Sequence, residues 1–204
     1  MKLYMTPGSC STGIHILLEE LDRPFEAYIV NLMAGDQNKP GYLAINPKST
    51  IPTLVRDDGT ALTEFGAIAY WLARTHPKAK LLPGDPDGDA LVIETMDYAV
   101  GTIHGQGFAR IFTTANFTPN EADHEAVKAR GRDIVEKAFA IVDAMLAGKE
   151  YAAGSFSIAD AALFYVEFWA DKIKIDLPPN CLAHYRRMLA RPVVQRVLRE
   201  EGYR

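Results

Sequence analysis

Along the first 75 residues the spacing of hydrophobic and polar positions changes every few residues. In Lys2 to Met5, Leu3 and Met5 alternate with Lys2 and Tyr4, the period of two that a strand with one buried face requires. From Ser11 to Leu21 the period lengthens, with Ile14, Leu17, Leu18 and Leu21 at helical spacing. Phe25 to Val30 follows a proline and carries aromatic and β-branched residues, which predicts a second strand. "PTLVRDDGTALT" predicts two short strands joined at Asp58-Gly59. Phe65 to Thr75 predicts a helix that stops before His76-Pro77. With a loop and short helix before the hairpin, the first domain, residues 1–77, reads β-α-β-α-β-β-α.

"HPKAKLLPGDPDGDA" has three prolines, two glycines and little periodicity, and reads as a linker. Beyond it the pattern is helical throughout, giving an all-α second domain over residues 88–204. Leu91 to Phe112 predicts one helix. Glu121 to Leu146 predicts another, with Val127, Ile134, Val135, Ala138, Val142 and Met145 on one face and Gly148 as its stop. "SFSIADAALFYVEFWA" opens a third, very apolar helix. Its "SIAD" is a capping box in which Asp160 reaches back to the Ser157 N–H, a purely structural signal. Shorter helices flank Arg191-Pro192.

Composition narrows the function classes. Hydrophobic residues make up 48% and charged residues 24% of 204 residues, with a net charge of −4, the profile of a soluble globular protein. The arginines from Arg186 to Arg199 are interleaved with apolar residues and followed by Glu200 and Glu201. They read as a helix face and not as a nucleic-acid patch. No apolar run approaches the ~20 residues of a membrane span, and "MKLYMTPGSC" does not read as a signal peptide. Cys10 and Cys181 form no disulfide or zinc pattern, so no metal and a reducing, cytoplasmic setting are expected.

Cys10 lies in "TPGSCSTG", where the strand period stops and the helical period begins. A helix starting there directs backbone N–H groups and its positive dipole end at the sulfur. That predicts a thiol pKa below the free value of about 8.5. The alternative for an isolated cysteine is an inert buried residue.

"MKLYMTPGSCS", "LAINPKSTIPTL", "LTEFGAIAYWLA" and "FSIADAAL", in this order and spacing, resemble the cytosolic glutathione transferases, most closely their bacterial beta class. The resemblance covers nearly the whole chain. It implies a thioredoxin-like first domain, an all-helical second domain forming the second-substrate site, a homodimer, and glutathione as co-substrate. The partner substrate would be a hydrophobic electrophile or a disulfide.

By the same resemblance Cys10 is the catalytic sulfur. Ser9 and Ser11 are alternative hydroxyl donors, although Ser11 also suits a helix cap. Tyr4 matches the tyrosine of other classes, but its alternation with Leu3 and Met5 favours sheet packing. Ile51-Pro52 matches the family's cis proline, whose turn would offer the Ile51 backbone to glutathione. Glu64 would accept from the γ-glutamyl ammonium, and the Phe65 N–H would face its carboxylate. Phe65 departs from the family's serine, threonine or glycine. Its ring would weaken glutathione binding or fold away into the core. His104 matches a beta-class histidine able to stabilise a thiolate or donate a proton, and Asp97 a position that reaches glutathione across the subunit boundary. Gly101, Gly105 and Gly107 surround His104; each costs a helix about 1 kcal/mol, so they imply close packing, a bend or a substrate cavity. Glutathione conjugation and Cys10-mediated thiol–disulfide exchange both follow, with a weakly catalytic binding protein of the same fold as the rival.

Overall fold

The structure, a computed structural model, describes residues 1–203. Four strands form one mixed sheet in the order β2-β1-β3-β4. β1 (Lys2–Met5) runs parallel to β2 (Glu26–Ile29), with Leu3 opposite Ala27, and antiparallel to β3 (Thr53–Val55), with Leu3 opposite Leu54. β4 (Ala61–Thr63) closes the hairpin. α1 (Ser11–Glu20) provides the parallel crossover between β1 and β2. α2 (Pro40–Leu43) precedes the hairpin and α3 (Phe65–Thr75) follows it. Leu3 and Met5 point into the core, and Tyr4 stacks on Tyr28 with its ring edge toward Tyr42, so Tyr4 packs on the sheet.

The amphipathic spacing of α1 understates its burial: every residue from Ser11 to Leu18 is buried. A helix enclosed on its polar side needs partners for Ser11, Thr12 and His15. Ser11 finds Thr6, and Thr12 and His15 find Glu201.

The helical half begins earlier than the hydrophobic period indicates. α4 (Pro86–Asp97) starts inside the presumed linker, where the Asp85 carboxylate accepts the Gly88 N–H at 2.8 Å and Pro86 occupies the first turn. An aspartate cap followed by proline is the local signal for this start. The helix continues as a π-helix over Tyr98–Phe108 and then as α5 (Ala109–Phe112). π-helices are usually single turns; this one spans the three glycines. A Cβ on Gly107 would sit 2.6 Å from Val135 Cγ2, and one on Gly131 would sit 2.9 Å from the Gly107 carbonyl. Facing glycines therefore let the π segment and α6 (His124–Leu146) touch through their backbones. Close packing accounts for Gly107 but not for Gly101, where an added Cβ meets nothing within 4 Å.

α7 (Ile158–Lys172) opens with the expected Ser157–Asp160 capping box, and α8 (Pro179–Ala190) and α9 (Pro192–Glu200) follow. The compact units do not follow chain order: one comprises residues 1–84 with 189–204, the other 85–188. The last helix thus belongs with the sheet and not with the helical unit. Its arginines explain part of this, since Arg191 pairs with Glu20 at 2.7 Å and Arg196 with Glu19 at 3.2 Å. The arginine-rich face is therefore partly a contact with α1. Among the described residues no helix is long and apolar enough to cross a membrane.

Candidate active site

In the first unit, β1 ends in a turn through Pro7 and Gly8 and delivers Cys10 to the start of α1. The Ile51-Pro52 peptide bond is cis, as the resemblance implies. The loop around it is held by two buried side chains. Tyr42 Oη donates to the Thr50 carbonyl at 2.5 Å, and Asn46 Nδ2 donates to the same carbonyl at 2.8 Å. Asn46 Oδ1 accepts the Lys48 N–H at 3.0 Å. Fixed in this way, the Ile51 carbonyl accepts the Cys10 thiol at 3.6 Å. Cys10, Ile51 and Pro52 therefore meet in space.

The sulfur is not open to solvent: Cys10 is only 7% exposed. Burial pushes its thiol up to about 12, against the backbone N–H groups of Cys10 and Ser11, which favour the thiolate; the Glu64 charge adds a smaller push upward. The expectation of a lowered pKa is thus reversed. The helix terminus acts in the anticipated direction, and desolvation outweighs it. Ser11 differs from expectation too. It is fully buried, and its hydroxyl donates to the Thr6 carbonyl at 3.1 Å and accepts the Thr6 N–H at 3.1 Å. Ser9 is tied to the same carbonyl at 2.6 Å. These hydroxyls brace the turn.

Glu64 caps α3 at φ 72°, ψ 129°, a conformation that costs a non-glycine residue of order 1–3 kcal/mol. Its exposed carboxylate meets Lys48, whose Nζ donates to Glu64 Oε1 at 2.8 Å and to Thr63 Oγ1 at 2.9 Å. Lys48 was not legible as a site residue; "NPKST" just ahead of the cis proline is the signal for it. Phe65 is 4% exposed and joins Ile68, Ala69 and Leu72 on the buried stripe of α3. Of the two outcomes open for the ring, it folds into the core.

The second unit holds His104 and Asp97. His104 Nδ1 lies 3.3 Å from Tyr165 Oη, and its ring meets the Trp169 ring edge-on at 4.8 Å. Burial lowers its pKa to about 4, so the imidazole is neutral near pH 7. As a neutral ring it can exchange hydrogen bonds but offers no cation to a thiolate. Asp97 is exposed at the end of α4. Among the described residues one group could ligate a metal: His15, Glu19 and Glu200 bring one donor atom each within 4.8 Å of one another. Glu200 already approaches His15 Nε2 at 3.1 Å and Arg196 already pairs with Glu19, so these charges are satisfied within the protein.

A four-stranded mixed sheet with a cysteine at the first helix terminus beside a cis proline defines a thioredoxin-like unit, here accompanied by a helical one. Residues 8–75 match the family described as glutathione S-transferase, N-terminal domain, and residues 125–187 its C-terminal domain. The chain is 37% identical to glutathione S-transferase GstA of Escherichia coli O157:H7, over 99% of both chains. Its structure resembles a glutathione transferase homologue from Sulfitobacter with bound glutathione, at TM-score 0.92 and 32% identity over 100% of this chain and 98% of that one. It also resembles a beta class enzyme from Sphingomonas chungbukensis, at TM-score 0.87 and 32% identity over 100% of both. The chain belongs to the glutathione S-transferase family and is an enzyme of that kind.

Proposed function

We propose that this transferase chiefly conjugates glutathione to hydrophobic electrophiles, with Cys10 acting as a protonated hydrogen-bond donor and not as the nucleophile. The observation carrying this reading is the buried Cys10 thiol donating to the Ile51 carbonyl, its pKa held up at about 12 by desolvation. When the cysteinyl part of glutathione pairs with the Ile51 backbone, that carbonyl is taken up. The Cys10 S–H is then released to the incoming glutathione sulfur. A thiolate accepting this bond is stabilised and attacks the electrophile, while its own proton leaves to solvent. Glu64 receives the γ-glutamyl ammonium, Lys48 supplies a cation for a glutathione carboxylate, and the N-terminus of α3 at Phe65 suits the other carboxylate. His104 and Asp97 are kept as second-substrate and cross-subunit contacts of a homodimer, on the family resemblance alone.

Thiol–disulfide exchange is the second reading, favoured by a cysteine standing where other classes have serine or tyrosine. It needs a thiolate at Cys10, which desolvation opposes. Cys10→Ser and Cys10→Ala, assayed with 1-chloro-2,4-dinitrobenzene and with a glutathione mixed disulfide, separate the two. Conjugation is expected to survive in Cys10→Ser and to fall about tenfold in Cys10→Ala, the effect of one lost hydrogen bond. Exchange faster than conjugation in the wild type, and abolished in both variants while conjugation persists, would assign Cys10 as the nucleophile of exchange and make exchange the main activity.

A further inference from the structure

Glu201, third from last among the described residues, lies 193 positions from Gly8 in sequence, yet its carboxylate enters the turn that carries Cys10. Its side chain is 1% exposed. Oε2 accepts the Gly8 N–H at 2.7 Å and the Thr12 hydroxyl at 2.7 Å, and Oε1 faces His15 Nδ1 at 2.9 Å. These contacts fall on both sides of Cys10, two residues before it and two and five after. Tyr203 completes the arrangement. Gly8 has φ +72°, and a Cβ built there would lie 2.0 Å from Tyr203 Oη, so the ring occupies the space any side chain would need. Tyr203 Oη also reaches the Pro7 carbonyl at 3.4 Å.

We infer that Glu201 is a positioning residue for Cys10: its buried carboxylate clamps the Pro7-Gly8 turn onto α1 and thereby sets where the sulfur stands and how far it is enclosed. The importance of this for turnover rests on the proposed role of Cys10; the positioning itself does not. Glutamine offers a discriminating substitution. Its carbonyl oxygen can take both donors that Oε2 takes, and its amide can donate to His15 Nδ1 once the imidazole proton moves to Nε2, where Glu200 accepts it. Alanine takes the carboxylate away from the Gly8 N–H, the Thr12 hydroxyl and His15 Nδ1.

The test is the rate at which iodoacetamide alkylates Cys10 in the full chain, followed by mass spectrometry on the Cys10 peptide, beside the thermal midpoint and turnover. Glu201→Ala is expected to raise the rate roughly tenfold, as local opening of the turn becomes easier. Glu201→Gln should stay within about twofold of wild type. Glu20→Ala is the control for mere destabilisation, because it breaks the Arg191 pair that also ties the last helices to α1 without touching the turn. A wild-type rate in Glu201→Ala, or an equal rise in Glu20→Ala, overturns the inference. If Glu201→Ala does not fold, Thr12→Val removes one of the three contacts at constant volume. It should then give a smaller rise, and no rise overturns the inference equally. Because alkylation is read at Cys10 whether or not Cys10 takes part in turnover, failure of the clamp and failure of the catalytic reading give different results.

Discussion

His15 and His184 are both buried histidines flanked by two carboxylates, one in each unit. His184 is enclosed completely: Glu167 stands 2.9 Å from Nδ1 and Asp160 3.1 Å from Nε2, and both carboxylates have no exposure. His15 has one buried partner, Glu201, and one, Glu200, whose side chain is 47% exposed. The buried partner also differs in what else it binds. Asp160 accepts the Ser157 N–H at 2.7 Å and the Ala152 N–H at 2.8 Å, all within the start of one helix and the loop before it. Glu201 holds a loop from the other end of the chain. The first cluster starts a helix and fills a core; the second holds the turn that carries Cys10. Similar chemistry thus serves stability in one unit and positioning in the other, and what decides is which backbone the carboxylate also holds.

The largest expected effect tests the stability half of that contrast. Asp160→Ala should lower unfolding free energy by about 3–5 kcal/mol, since it strands His184 and three other donors in a dry core. Urea denaturation measures it. A loss below about 1 kcal/mol would mean that water or repacking replaces the carboxylate, and the cluster would no longer contrast with that of Glu201.

How much of this was legible differs between the two. Asp160 announced itself through "SIAD", because a capping box is local and its partners lie three residues apart. Glu201 gave no such signal, since its partners are set by the docking of α9 on α1. The strands, the hairpin and the apolar helices were readable from their periods. The start of α4 at Pro86 was missed because glycine and aspartate in "GDPDGDA" masked an ordinary cap. The position of Cys10 at a helix terminus was readable as well, but not its protonation. Sequence reports the backbone groups that favour a thiolate; only packing reports the desolvation that opposes it.

A comparison inside the second unit is sharper still, because its two histidines shift in opposite directions. Burial lowers His104 to about 4. Burial opposes the charge on His184 as well, but Glu167 and Asp160 outweigh it and raise His184 to about 10. From the unfolded value of 6.5, His104 contributes stability that is present above pH 6.5 and lost as pH falls through 4. His184 contributes stability present below pH 6.5 and lost as pH rises toward 10. His104→Gln should therefore lose less stability than wild type on acidification from pH 6.5 to 4, and His184→Gln less on raising pH from 6.5 to 9. Parallel stability curves for wild type and either variant would show that histidine does not titrate as its surroundings dictate.

The smallest expected effect concerns two neighbours with opposite fates. Glu64 is exposed in strained backbone, while Phe65 continues into the core stripe with Ile68 and Leu72. The family's small or hydroxyl residue at this position suggests that a bulky ring should weaken glutathione binding, yet the ring is turned inward and only the backbone remains at the helix terminus. Phe65→Leu keeps an apolar side chain in that stripe and should cost about 1 kcal/mol of stability. Its glutathione dissociation constant, by calorimetry, should be unchanged. A change of more than about threefold, close to 0.7 kcal/mol, would put the ring in the binding surface after all. The strained turn at Glu64 would then serve to present two side chains to the ligand, where the proposed site uses one.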